Sequence, residues 1–128
     1  MPFHLLVFIP RKDGVSTADF ISNYENKYVP LVSKVVKEAG KEDLNPTVYS
    51  RKFTHRDENG ITGTHGILGF GVELEFDAVI ESKFEAREKA LEWDGLVRSD
   101  ERVKALEDEF WNKAGVKAVV VEEKEGGL

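Results

Sequence analysis

The chain has 128 residues, 24 of them acidic and 18 basic, for a net charge of −6; 41% are hydrophobic, 33% charged, and none is cysteine. That length is the size of one domain, and the composition is that of a globular rather than a disordered chain. An acidic chain without a basic run is not built for non-specific binding to nucleic acid or anionic membranes, and the lack of cysteine excludes disulfides, thiolate chemistry and Cys-based zinc sites.

No basic segment precedes the short apolar run at the start, so neither a signal peptide nor a membrane span is expected and the expected location is cytoplasmic. Phe3 to Ile9, closed by Pro10, predicts a strand. Its faces are Phe3, Leu5, Val7, Ile9 and His4, Leu6, Phe8; both are largely apolar, so both are expected to be covered. Asp13-Gly14 is a turn signal, and Ser16 with Asp19 opens a helix. Phe20, Tyr24, Tyr28, Leu31, Val32, Val35 and Val36 recur at helical spacing as one apolar stripe, within which Pro30 is expected to kink or split the helix; Gly40 is its stop.

Asn45 to Thr54 predicts a second strand, Asp57 to Gly60 a hairpin tip, and Gly66 to Phe76 a third strand. The glycines at 60, 63, 66, 69 and 71 do not form a phosphate loop, because no Gly-Lys-Ser/Thr ending and no helix follow them. Asp77 is expected to cap a second helix bearing Ile80, Phe84, Arg87 and Leu91, interrupted at Gly95. A further helix from about Asp100 to Trp111 presents Val103, Leu106 and Phe110, its acidic residues reading as a solvated face. Val116 to Glu122 predicts the last strand. Residues 1–123 thus form one domain and 124–128 a disordered tail. The order β-α-β-β-α-β predicts an α+β, ferredoxin-like fold. Helices cover one face of its antiparallel sheet; a second copy covers the other, sheet against sheet, in a homodimer.

His4 to Phe8, Lys12 to Ser16, and Phe20 to Val32 with its Tyr28-Val29-Pro30-Leu31-Val32 segment together resemble EthD-domain proteins of the dimeric α+β barrel superfamily. The resemblance is clear over about the first 36 residues and consistent in element order through Glu122. EthD proteins usually carry histidine two residues before that proline, where this chain has Tyr28. His4 and the Tyr28 to Val32 segment are similar also to the polyketide cyclases of the olivetolic acid cyclase type. Those enzymes hold a catalytic histidine in a later helical region, and no histidine follows His65 here. The resemblance implies a dimeric barrel and a choice of chemistries rather than one activity.

His4 is polar in a strand that otherwise reads as buried, which suits a general acid or base or, equally, a core histidine with satisfied hydrogen bonds. Tyr24 and Tyr28 lie one turn apart on the buried helix face, as packing residues or as hydroxyls that orient a carbonyl or enolate. The pattern therefore nominates His4 and Tyr28 as catalytic, converging on the helix-covered face, and Tyr24, Leu6, Phe8, Tyr49 and His65 as substrate-binding. His55, beside Arg56, Asp57 and Glu58, reads as solvated. The histidines show no metal-ligand spacing, so no metal and no cofactor are expected. The expectation is a cofactor-free enzyme acting on an apolar, aromatic or polyketide-like molecule by cyclisation, dehydration or isomerisation. Its alternatives are a cofactor-independent monooxygenase, favoured if Trp93 or Trp111 borders the pocket, and a non-catalytic ligand-binding or stress-related barrel protein.

Overall fold

The computed structural model describes residues 2–55 and 75–128. The strand read at the start forms as β1 (Phe3–Ile9). The helical stripe forms as α1 (Thr17–Asn23) and α2 (Val29–Glu38), joined by a π-helical turn over Tyr24–Tyr28. Ser16 caps α1 by accepting from the Asp19 N–H. The π turn lies just before Pro30: the Val29 N–H reaches back five residues to the Tyr24 carbonyl, and Pro30 has no N–H to continue the α pattern. Residues four apart drift by about 40° per step around an α-helix, and the wider turn offsets that drift. Phe20, Tyr24, Tyr28 and Val32, each four apart, are consequently all buried on one side. Gly40 ends this segment at a φ of 66°, a left-handed position that suits glycine.

The chain continues through β2 (Val48–Phe53), β3 (Ala78–Phe84), α3 (Arg87–Arg98), α4 (Glu101–Phe110) and β4 (Lys117–Val121). The four strands form one antiparallel sheet in the order β2-β3-β1-β4, which is the ferredoxin-like α+β arrangement. The hairpin tip, most of the strand expected over Gly66 to Phe76, and His65 lie outside the described residues.

Two expectations are corrected. Asp77 does not start a helix: residues 78–84 form β3, in which Ala78, Ile80, Ser82 and Phe84 are buried and Val79, Glu81 and Lys83 point the other way. Ile80 and Phe84 are four apart, a spacing that fits the helical period and the strand period of two alike. Gly95 does not interrupt a helix either, since α3 runs through it to Arg98. The break comes at Asp100, whose side chain accepts from the Arg102 and Val103 N–H groups and starts α4. Among the described residues no helix is long and apolar enough to cross a membrane.

Candidate functional site

Side chains alternate along a strand, so the register of β1 decides which of its residues meet the helices. Phe3, Leu5, Val7 and Ile9 point toward them. His4, Leu6 and Phe8 therefore lie on the opposite face, paired across the sheet with Lys83, Glu81 and Val79. The expected convergence of His4 with Tyr28 does not occur, and Leu6 and Phe8 do not reach the helix side. Both faces of β1 are apolar, and the helices cover the odd-numbered one.

Between that face and the helices lies a cavity of about 300 Å³, at the lower end of the size range of small-molecule pockets. β1 and β3 supply its apolar floor through residues such as Leu5, Val7, Ile80 and Phe84. Tyr24 and Tyr28 enter from the π turn and Tyr49 from β2; Trp93 and Arg98 enter from α3, and Trp111 follows α4. Trp111 is fixed by an isolated bridge to Arg11 and by the Asn112 N–H donating to the Pro10 carbonyl. The aromatic walls are in contact: the Tyr24 and Tyr28 rings lie 4.9 Å apart, as do those of Tyr28 and Trp111.

Two sets of hydrogen-bonded polar groups accompany this wall. The Tyr24 and Tyr49 hydroxyls share a hydrogen bond of 2.7 Å. The Tyr28 hydroxyl donates to Glu107 Oε2 at 2.8 Å, and Arg98 Nε lies 2.8 Å from the same oxygen. Lys113 Nζ is 3.7 Å from Glu107 Oε1. Glu107 is fully buried, which corrects the expectation that the acidic residues of this helix form a solvated face. It lies four residues after Val103 and four before Trp111, on the inward stripe of α4. Burial raises the pKa of all three tyrosine hydroxyls, that of Tyr28 with Glu107 as the next cause and that of Tyr24 with Tyr49. Burial, the largest single cause, acts to lower the Arg98 pKa, but Glu107, Tyr28 and Asp94 together outweigh it and the net shift is upward.

On the outer face the His4 imidazole is buried against Glu81, with Nε2 2.8 Å from Oε2, and Lys52 Nζ lies 3.4 Å from Oε1. The hydrogen bond from His4, followed by that from Lys52, holds the Glu81 carboxyl below its ordinary range. His4, Glu81 and Glu123 bring one ligand-type atom each within 4.8 Å of one another, a grouping that strand pairing creates and sequence spacing does not show. Lys52 and Lys83 already pair with its two carboxylates. Around them this face carries Leu6, Phe8, Val79 and Val121, half-buried, and Val119, 46% exposed, with Ser50 and Lys117 also on it. His55 is exposed. A shallower depression of about 590 Å³ beside Glu38, Asp100 and Arg102 is further from the aromatic wall, and its charges pair with one another.

No protein-family profile and no curated protein sequence matches the chain. Solved structures do. An EthD-family protein from Bacillus halodurans aligns with a TM-score of 0.55 and 15% identity over 97% of this chain and 100% of its own. An EthD-like protein from Ralstonia eutropha aligns at 0.56 with 10% identity, covering 94% and 87%. A dimeric protein of unknown function and ferredoxin-like fold from Bacteroides fragilis aligns at 0.52 with 7% identity, covering 95% and 96%. The chain thus has the fold of EthD-family proteins, as the opening segments suggested.

Proposed function

We propose that the protein is a cofactor-free enzyme acting by acid–base chemistry on an apolar, aromatic or polyketide-like small molecule, through cyclisation, dehydration or isomerisation. The observation that carries this reading is the 300 Å³ aromatic-walled cavity in contact with Tyr28, whose hydroxyl is hydrogen-bonded to the buried Glu107. An apolar pocket with few convergent polar groups suits proton transfer to and from a bound carbonyl compound. In this reading Tyr28 links the cavity to Glu107. A proton leaving a ligand oxygen passes to the Tyr28 oxygen as the proton of Tyr28 passes to Glu107 Oε2, leaving a ligand oxyanion and a neutral carboxyl. Arg98 orients Glu107. The reading gives His4 no part at the cavity, because its ring lies across the sheet against Glu81.

The second face supports a homodimer as part of the same proposal. A sheet surface built from Leu6, Phe8, Val79, Val119 and Val121 around the hydrogen-bonded His4–Glu81 pair fits a second copy, and one structural relative is described as dimeric. The test of function is a panel of aryl polyketones incubated with the protein and followed by mass spectrometry for ring closure or loss of water. Turnover is expected in the unsubstituted chain and should fall by about two to three powers of ten in Glu107→Gln. Equal rates in both would remove the acid–base role, and tight binding without turnover would leave a ligand-binding protein. Trp93 and Trp111 at the same cavity favour oxygenation as a second reading, which substrate-dependent oxygen uptake would reveal.

A further inference from the structure

We propose that the ligand of this cavity carries both a hydroxyl and a carbonyl on a planar, uncharged frame, with the hydroxyl received by Tyr28 and the carbonyl by the Tyr24–Tyr49 pair. The inference rests on the reading of the cavity as a small-molecule site and adds the polarity of that site. A phenolic hydroxyl has one proton to donate and lone pairs to accept with. The Tyr28 proton is engaged: it is donated to Glu107 Oε2, an oxygen that also faces Arg98, which has donors only. What Tyr28 offers to the cavity is therefore a lone pair, and a lone pair recognises an O–H rather than a carbonyl. This reverses the role expected of Tyr28 as a residue that orients a carbonyl.

The neighbouring pair has the opposite polarity. Tyr24 and Tyr49 bring two protons to one shared hydrogen bond. Whichever of them donates, the proton of the other has no acceptor among the described residues. A buried donor without an acceptor is costly, and a ligand carbonyl would satisfy it. The acceptor and the donor thus belong to neighbouring residues of one cavity wall, the Tyr24 and Tyr28 rings being 4.9 Å apart.

Charge and shape complete the description. The one cation at the cavity, Arg98, faces Glu107 at 2.8 Å and Asp94 at 4.0 Å, so among the described residues no unpaired positive charge awaits a carboxylate or phosphate. The walls of Trp93, Trp111 and Phe84 suit the face or edge of a flat ring. The ligand class is a neutral hydroxy-carbonyl compound such as a hydroxyaryl ketone or the enol of a dicarbonyl.

Four para-substituted benzenes test this with the full chain by isothermal titration calorimetry: 4-hydroxyacetophenone, 4-methoxyacetophenone with the hydroxyl capped, 4-ethylphenol without the carbonyl, and 4-ethylanisole with neither group. The first should bind tightest, and loss of either group should weaken binding by about fivefold. Tyr28→Phe should erase the preference for hydroxyl over methoxy and keep the preference for the carbonyl. That second preference should survive Tyr24→Phe or Tyr49→Phe singly, since either remaining hydroxyl can donate, and vanish only in the double variant. The ligand series on the unsubstituted protein decides the matter even where a variant fails to fold. Equal binding of all four, or a preference for the methoxy compound, would overturn the assigned polarity and leave the small-molecule reading standing. Binding of none of the four would overturn both.

Discussion

Glu107→Leu should be among the more damaging single substitutions in α4. The Glu107 side chain is 1% exposed and its Oε2 holds two partners, the Tyr28 hydroxyl and Arg98 Nε, each at 2.8 Å. Removing it leaves a buried hydroxyl without an acceptor, at about 1–3 kcal/mol, and a guanidinium without its counter-ion. A fully buried partner would add about 3–5 kcal/mol. Arg98, however, keeps 39% of its side chain exposed and has Asp94 at 4.0 Å, so its share is discounted to about 1 kcal/mol. The expected total is about 3 kcal/mol. In urea denaturation at 25 °C and pH 7, Glu107→Leu should lower the midpoint with an unchanged slope. Arg98→Met should recover part of the loss, so that the double-mutant cycle gives a coupling of about 1 kcal/mol. A loss below 0.5 kcal/mol, the order of an ordinary surface change, would return Glu107 to the solvated face; a coupling of zero would show that Arg98 does not hold it.

The three tyrosines of the chain, Tyr24, Tyr28 and Tyr49, all border the cavity, and burial raises each hydroxyl. Their stabilising effect is full below the unfolded value of 10 and is lost as pH rises beyond it. Absorbance at 295 nm should therefore show no tyrosinate in the folded protein near pH 10, and ionisation should coincide with alkaline unfolding; titration of even one hydroxyl near 10 in the folded state would contradict this. Asp100, hydrogen-bonded first of all by the Arg102 side chain, is lowered from 3.8 to about 2. Its contribution is present above pH 4 and fades as pH falls through 2, so the difference in Tm between the parent chain and Asp100→Asn should shrink over that window. A Cβ on Gly115 would lie 2.8 Å from the Pro10 ring. Gly115→Ala should cost about 1–3 kcal/mol in thermal unfolding, and an unchanged Tm would show that the Pro10 turn yields.

The order of strands and helices was legible because β1 is a short apolar run closed by Pro10 and the long stripe follows the helical period, and Pro30 marked where the stripe divides. β3 was not, because Ile80 and Phe84 satisfy two periods at once, and choosing between them needs the partners that β1 and β2 provide. For the site, Tyr24 and Tyr28 were identified from the apolar helical stripe and Tyr49 as a residue of the second strand that could face a pocket, and all three border the cavity. His4 was misassigned to it for a physical reason: alternation fixes which residues share a face but not which face the helices cover when both are apolar. Glu107 was missed because acidic residues in a charged helix are usually solvated. The signal was its position between Val103 and Trp111, and its partners come from α3 and the π turn, far away in sequence.

The central claim is that ligand binds on the helix-covered side of the sheet, among the aromatics and away from His4. The chain has two tryptophans, both at the cavity, so its proton–nitrogen correlation spectrum contains two indole signals, from Trp93 and Trp111. Titration with 4-hydroxyacetophenone should move both indole signals while the ring resonances of His4, on the opposite face against Glu81, stay in place. Movement of the His4 ring with both indoles unchanged would put the site on the outer sheet face and contradict the account.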